Sequence, residues 1–75
     1  MKQTQIDQRL AALMTDARLS SGLTQVQAAK ALRKSQSWIA RLESGGRKIS
    51  VGEFLVLARL YRCKPGKLLD GVSVD

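Results

Sequence analysis

The sequence predicts an all-α fold, a compact bundle of five short helices. Apolar residues recur at helical spacing, and residues that favour helix N-caps precede helical segments at Thr24, Ser35 and Ser50. No segment carries the signals of a β-hairpin. The chain has 75 residues, of which 44% are hydrophobic, so residues 1–75 should form one domain with its own core. We expect residues 1–5 and 71–75 to be flexible.

The first helix is predicted to begin near Ile6, where an apolar stripe starts. Four residues lie at i, i+4, i+7 and i+11 and therefore share one helix face: Ile6, Leu10, Leu13 and Ala17. A stripe of this kind faces the core of a globular protein. Ser20, Ser21 and Gly22 should end this helix, because glycine adopts the left-handed conformation of a C-cap without steric cost.

Two short helices joined by a tight turn are predicted next. One runs from about Gln25 to Leu32 behind a capping box of Thr24 and Gln27, and the other from about Gln36 to Ser44 behind Ser35. The residues expected to face the core are Ala28, Ala29, Leu32, Ile39 and Leu42. This is the pattern of a helix-turn-helix, and a helix about 10–12 Å wide fits the major groove of duplex DNA.

A fourth helix is predicted behind a second capping box, formed by Ser50 and Glu53. It should run from about Val51 to Arg62, with Leu55 and Ala58 in the core.

A short fifth helix should follow from Pro65 to about Asp70, since proline suits the first helical turn. It is expected to bury Leu68 or Leu69.

The charge balance points to a polyanionic partner. Lysine and arginine number 13 against 6 acidic residues, which gives a net charge of +7. Between Lys30 and Lys48, six basic residues face one acid, Glu43, for a local balance of +5. Nucleic acid is the first candidate for such a basic domain, and charge kept for solubility is the alternative.

The inventory of reactive side chains excludes several kinds of chemistry. Histidine is absent, and Cys63 is the single cysteine. No disulfide framework, zinc set or Ser/His/Asp arrangement can be assembled, so we expect no enzyme activity, no cofactor and no metal. Cys63 is expected to be a packing residue. Because neither a membrane span nor a signal-peptide pattern is present, we expect a cytoplasmic protein.

The stretches Gly22-Leu23-Thr24-Gln25 and Leu42-Glu43-Ser44-Gly45, with the helices between them, carry a family resemblance. The chain resembles the phage repressor/Cro (XRE-type) helix-turn-helix family from about Ile6 to Leu69. The resemblance implies a lambda-repressor-like DNA-binding domain whose third helix enters the major groove. It also implies a bacterial or phage-encoded regulator that binds two related half-sites as a dimer.

Two positions depart from the family pattern. Arg33, in the turn between the two motif helices, and Arg62, after the fourth helix, stand where the family often has glycine. Either each arginine is held at positive φ, at a cost of about 1 kcal/mol, or each turn adopts a shape that avoids positive φ.

The start of the third predicted helix carries the candidates for reading DNA bases. They are Gln36, Ser37, Ala40 and Arg41. Glutamine can bond adenine and arginine can bond guanine through two hydrogen bonds each, whereas alanine offers only its methyl group to thymine. The alternative is that these are ordinary exposed residues of a surface helix.

A second group is expected to contact DNA phosphates: Thr24, Gln25, Arg33, Lys34, Ser35, Trp38, Arg47 and Lys48. Contacts of this kind position a protein without reading sequence, and the alternative for any single lysine is a solvated side chain. For Trp38 two placements remain open, either against the sugar-phosphate backbone or packed over the second helix. In the resembled family, the residue matching Gln25 bonds phosphate and braces the first recognition residue.

The resemblance also implies a structural ion pair between Arg18 and Glu43. A tentative dimer interface consists of Val56, Leu60, Leu69 and Val72, with burial inside the domain as the alternative.

Together these features predict a repressor that binds palindromic double-stranded DNA as a homodimer. The alternatives are an antitoxin that binds DNA and a toxin protein, and a co-activator-like adaptor without sequence-specific binding. A toxin or an anti-repressor is therefore a possible protein partner, and no membrane partner is expected.

Overall fold

The computed structural model describes residues 3–72, and within this range the chain forms five α-helices and no strand. The helices are α1 (Gln3–Ser20), α2 (Gln25–Ala31), α3 (Gln36–Glu43), α4 (Val51–Leu60) and α5 (Pro65–Leu69). The predicted all-α, five-helix class is confirmed. The predicted start of α1 at Ile6 is wrong, because the helix already includes residues 3–5. The flexibility expected of residues 1–2 and 73–75 concerns positions outside the described residues.

Both predicted capping boxes are present. The Gln27 backbone N–H donates to the Thr24 hydroxyl at 3.0 Å, and the Thr24 backbone N–H donates to Gln27 Oε1 at 2.9 Å. Ser50 and Glu53 exchange the same two bonds at 3.1 and 3.0 Å. These bonds satisfy backbone donors that have no partner inside the helix, and they fix where α2 and α4 begin.

The two motif helices meet through small and branched side chains. Ala28 and Ala29 of α2 are buried in the same core cluster as Ile39 and Leu42 of α3. Ser35 caps α3, since its hydroxyl accepts the backbone N–H of the residue three positions on at 3.2 Å. The core-facing side of α3 is therefore the predicted one.

The buried face of α1 differs from the predicted stripe. Ile6, Leu10 and Leu13 are only half-buried, whereas Met14 is completely buried at the centre of the core. Ala17 is the one member of the stripe that is buried. The reason is that α1 packs against α3 and α4 together, and this turns the line through Met14 and Ala17 toward the interior.

The buried face of α4 also differs from the prediction. Leu55 is 48% exposed, whereas four residues at helical spacing are buried: Phe54, Leu57, Ala58 and Tyr61. Leu60, for which a dimer interface and burial inside the domain were the two alternatives, is half-buried and packs against the core cluster. Residues 54–58 are all apolar, so the sequence offers more than one possible stripe, and packing on α1 selects among them.

In α5 only one leucine packs inward. Leu68 lies against the core cluster, whereas Leu69 is half exposed.

Within residues 3–72, four turns contain a residue with left-handed backbone. Gly22 and Gly45 have φ of 81° and 80°, and Arg33 and Arg62 both have φ of 57°. Both arginines are therefore held at positive φ, and the alternative expectation, a turn that avoids positive φ, is wrong. After α2, the backbone N–H of Lys34 reaches back to the carbonyl of residue 29 at 2.8 Å, and this closure requires a left-handed residue at position 33.

Candidate nucleic-acid interface

The helix α3 presents a polar edge to solvent. Gln36, Ser37 and Arg41 are exposed, and Ala40 is half-buried. Ile39 and Leu42 are buried behind them, so the helix is anchored by its apolar side. The Ser37 hydroxyl lies 3.0 Å from the hydroxyl of the N-cap residue 35, which orders the start of this edge. All four proposed base-reading residues thus lie outside the buried core.

The side chain of Gln36 is braced from α2. Its Nε2 donates to Gln25 Oε1 at 3.4 Å, and Gln25 Nε2 in turn donates to Glu43 Oε1 at 3.1 Å. The bond to Gln36 is long and the bond to Glu43 is well formed. Gln25 is therefore held by a fixed carboxylate and limits the conformations open to Gln36 before any ligand arrives.

Arg18 and Glu43 form a nearly buried ion pair between α1 and α3. Arg18 Nε donates to Glu43 Oε2 at 2.7 Å, and Nη2 donates to Oε1 at 3.1 Å. Arg18 Nη1 also donates to the Leu23 carbonyl at 2.8 Å. The two side chains are only 9% and 6% exposed. The hydrogen bond to Glu43 raises the pKa of Arg18, so the guanidinium stays charged.

The predicted phosphate contacts differ in accessibility. Thr24, Arg33, Lys34, Ser35 and Lys48 are exposed, whereas Gln25, Trp38 and Arg47 are half-buried. Within residues 3–72, the cationic groups of Arg33, Arg41 and Lys48 form no ion pair. The charged groups nearest the polar edge are therefore available to an anionic partner.

Trp38 packs against the core cluster instead of projecting freely into solvent. It lines a cleft with Leu32, at the end of α2, and with Val56 and Leu57 of α4. Two cations flank its ring: Lys34 Nζ lies 5.4 Å from the centroid and Arg47 Cζ lies 4.8 Å from it. Both distances suit cation–π attraction. This packing favours the second of the two placements considered from the sequence.

Arg47 is engaged by the protein itself. Its Nη2 donates to Glu53 Oε2 at 3.0 Å, while its Nη1 is buried without a hydrogen-bond partner. The arginine thus ties the loop after α3 to the start of α4, and it is less available than Lys48 for an anionic ligand. The sequence did contain a signal for this ion pair. The capping box uses only one carboxylate oxygen of Glu53, so the second oxygen is free to accept from an arginine.

The environment of Glu53 predicts that its contribution to the stability of the folded state is lost at acid pH. Its hydrogen bond from the Ser50 backbone, followed by that from Arg47, lowers its pKa below the usual 4.5. A lowered pKa in the folded state contributes stability that is present above pH 4.5 and is lost as the pH falls through the folded-state value.

We expect the unmodified protein to have a higher Tm than Glu53→Gln at pH 7, and the difference to shrink below about pH 4.5. Glutamine keeps an oxygen that can accept the Ser50 backbone N–H, so this substitution removes the charge and leaves the capping box in place. Thermal unfolding followed by circular dichroism from pH 3 to pH 7 measures this. A Tm difference that does not depend on pH would contradict the assignment.

The described part of the chain contains neither a cluster of metal ligands nor a membrane-spanning helix. No group of three or more His, Cys, Asp or Glu side chains in residues 3–72 could hold a metal ion. None of the helices described is long and apolar enough to cross a membrane.

The fold and the outward edge of α3 define a small helix-turn-helix domain. The sequence profile of the helix-turn-helix domain family matches residues 9–70, and the chain belongs to this family. Its fold is similar to the crystal structure of the clp gene regulator ClgR from C. glutamicum. The TM-score is 0.81 at 21% sequence identity, over 88% of this chain and 86% of that chain. No curated protein sequence gives a significant match to the chain.

Proposed function

We propose that the protein is a transcription regulator of the phage repressor/Cro type, a repressor that binds palindromic double-stranded DNA in the cytoplasm as a homodimer. The observation that carries this proposal is the exposed polar edge of α3, anchored from behind by Ile39 and Leu42. The second helix of a helix-turn-helix lies in the major groove with its N-terminal residues on base edges. Gln36 and Ser37 occupy those positions.

Base reading falls to four side chains in this arrangement, Gln36, Ser37, Ala40 and Arg41, and the exposed serine can adapt to several bases. Gln36 is exposed and braced by Gln25, which suits paired hydrogen bonds to adenine. Arg41 is exposed and one turn beyond Ser37 on the same side of the helix, which suits guanine. Ala40 is half-buried, so its part is limited to a methyl contact with thymine.

Phosphate binding falls to groups on both sides of α3. Arg33 and Lys34 precede the helix and Lys48 follows it, and all three are exposed. Thr24, Gln25 and Ser35 are polar groups at the starts of the two motif helices. Trp38 and Arg47 are half-buried and engaged within the fold, so they contribute less. Such a rim supplies the salt-dependent part of affinity and sets the register of α3.

Dimerisation is supported by an apolar outer face. Val56 and Leu69, from the tentative interface, are 53% and 50% exposed, and Val51 and Leu55 of α4 are further exposed apolar residues. Leu60 and Val72 are half-buried and contribute less. A two-fold dimer would place two recognition helices about 34 Å apart, one turn of DNA. Selection from a random duplex library should then return two inverted half-sites about 10 base pairs apart.

The base-reading assignment is tested by Arg41→Ala with Lys48→Ala as its matched control, because each removes one positive charge. We expect Arg41→Ala to lose about 1–3 kcal/mol on the selected duplex and to lose preference at one base position. Lys48→Ala should weaken all duplexes alike and reduce the salt slope by about 1. Fluorescence anisotropy titrations at several salt concentrations measure both. Equal loss on every duplex for Arg41→Ala would refute base reading by Arg41.

A further inference from the structure

The turn between α4 and α5 contains an arginine in a strained conformation. Arg62 has a φ of 57°, and the next backbone N–H, from Cys63, donates to the Ala58 carbonyl at 2.9 Å. This closure demands a left-handed residue, a position where glycine is the usual choice. The chain does use glycine at two other left-handed turns, at positions 22 and 45. Arginine at position 62 therefore lowers stability relative to glycine. What arginine adds at this position is a charged side chain, which glycine would not provide.

The side chain of Arg62 is exposed to solvent and is not engaged by other groups of the described chain. Among residues 3–72 its guanidinium makes no hydrogen bond or ion pair. It lines a cleft of about 660 Å³ together with Ser20, Ser21 and Cys63. Asp16, the acidic residue of α1 nearest in sequence to Ser20, forms no ion pair with Arg62. A free guanidinium beside hydroxyl groups is suited to an anion with several oxygen atoms.

This cleft adjoins the proposed DNA-binding edge. Leu23 forms part of its wall and also lines a neighbouring cleft of about 430 Å³. That second cleft contains Thr24, Gln25 and Gln36. The surface thus continues from the first base-reading residue, across the start of α2, to the turn that carries Arg62.

We propose that Arg62 contacts a backbone phosphate of the bound duplex, with Ser20 as a neighbouring hydroxyl donor. The contact lies outside the helix-turn-helix and extends the DNA footprint to the turn between α4 and α5. Arg33 has the same φ of 57° in the turn beside α3, so strained arginines lie at two separate points of one phosphate-binding rim. This inference rests on the proposed function, because it assigns a further contact to the same ligand.

The decisive variant is Arg62→Gly, for which stability and DNA affinity should change in opposite directions. Relief of the left-handed strain, less the greater flexibility of glycine in the unfolded chain, should raise Tm by about 2–5 °C. Loss of one phosphate contact should weaken binding by roughly 3- to 10-fold at low salt and reduce the salt slope by about 1. Thermal unfolding and anisotropy titration over 50–200 mM salt measure the two effects.

Arg59→Ala is the matched control, since Arg59 is exposed on α4 and its loss changes the net charge equally. Arg33→Gly calibrates the strain at the other turn. Unchanged affinity and slope for Arg62→Gly would overturn the proposal and leave an acidic protein partner as the alternative ligand. An equal loss for Arg59→Ala would also overturn it, because net charge alone would then explain the effect. In either case, normal losses for Arg41→Ala and Lys48→Ala would leave the proposed function intact.

Discussion

Glu43→Gln is expected to destabilise the fold by about 3–5 kcal/mol, because it leaves the charge of Arg18 buried without its partner. Both side chains are more than nine-tenths buried, so solvent screens the pair very little. A domain of this length has about 4–11 kcal/mol of stability in total. The single substitution should therefore leave a large fraction of the protein unfolded at 37 °C.

A double-mutant cycle separates the pair from its surroundings. Arg18→Met and Glu43→Leu should each be destabilising, whereas the double variant that combines these two changes should cost less than either single change, since no charge is then left buried. Urea unfolding of the four proteins gives the coupling free energy. A double variant whose loss equals the sum of the two single losses would show that the ion pair is not a coupled unit.

The same cycle bears on DNA binding, because Glu43 also holds Gln25. Glu43 accepts from Arg18 and from Gln25 at once, so the network runs from α1 through α3 to the brace on Gln36. We therefore expect the double variant, although folded, to discriminate less well at the base position that Gln36 is proposed to read.

Met14→Ala is the second substitution with a large expected effect. Met14 has 0% exposed surface and is among the largest fully buried side chains. Removing it should cost about 2–5 kcal/mol, the sum of lost apolar burial and the cavity left behind. It belongs to the same core cluster as Ile39 and Leu42, so the cavity would open in the core that anchors α3.

Leu13→Ala is the control for Met14→Ala, since it removes a similar volume from the adjacent position of α1. Leu13 is half-buried and lies near Gly71 at the end of α5, so its loss should cost less, about 1–2 kcal/mol. Urea unfolding of both variants compares them. A larger loss for Leu13→Ala would mean that α1 is rotated toward the stripe predicted from the sequence.

The starts of helices are the part of the fold that the sequence predicted best. Thr24, Ser35 and Ser50 each cap a helix that begins at the next residue. A cap is a bond between residues three positions apart, so the local sequence contains all the information needed. The outward edge of α3 was predictable for a related reason. Its two buried residues, Ile39 and Leu42, define the inner side without ambiguity.

The helix faces of α1 and α4 were predicted less well. Both helices carry more apolar residues than a single stripe requires. The sequence therefore did not identify Met14 as a core residue of α1, and it wrongly assigned Leu55 of α4 to the core. The rotation of such a helix depends on the shape of its neighbours, and this is information that no local pattern contains. The site shows the same division. Arg47 looked like a free cation in the sequence, and only the approach of α4 pairs it with Glu53.

The amino-acid sequence by itself therefore determined the number of helices, the starts of α2 to α5, the helix-turn-helix pattern and the polar edge of α3. The tertiary structure decided which faces of α1 and α4 are buried, which cations remain free, and that Arg33 and Arg62 are held in left-handed turns. The physical reason is range. Caps and helical periodicity act within a few residues, whereas burial, ion pairing and turn closure depend on groups brought together from distant parts of the chain.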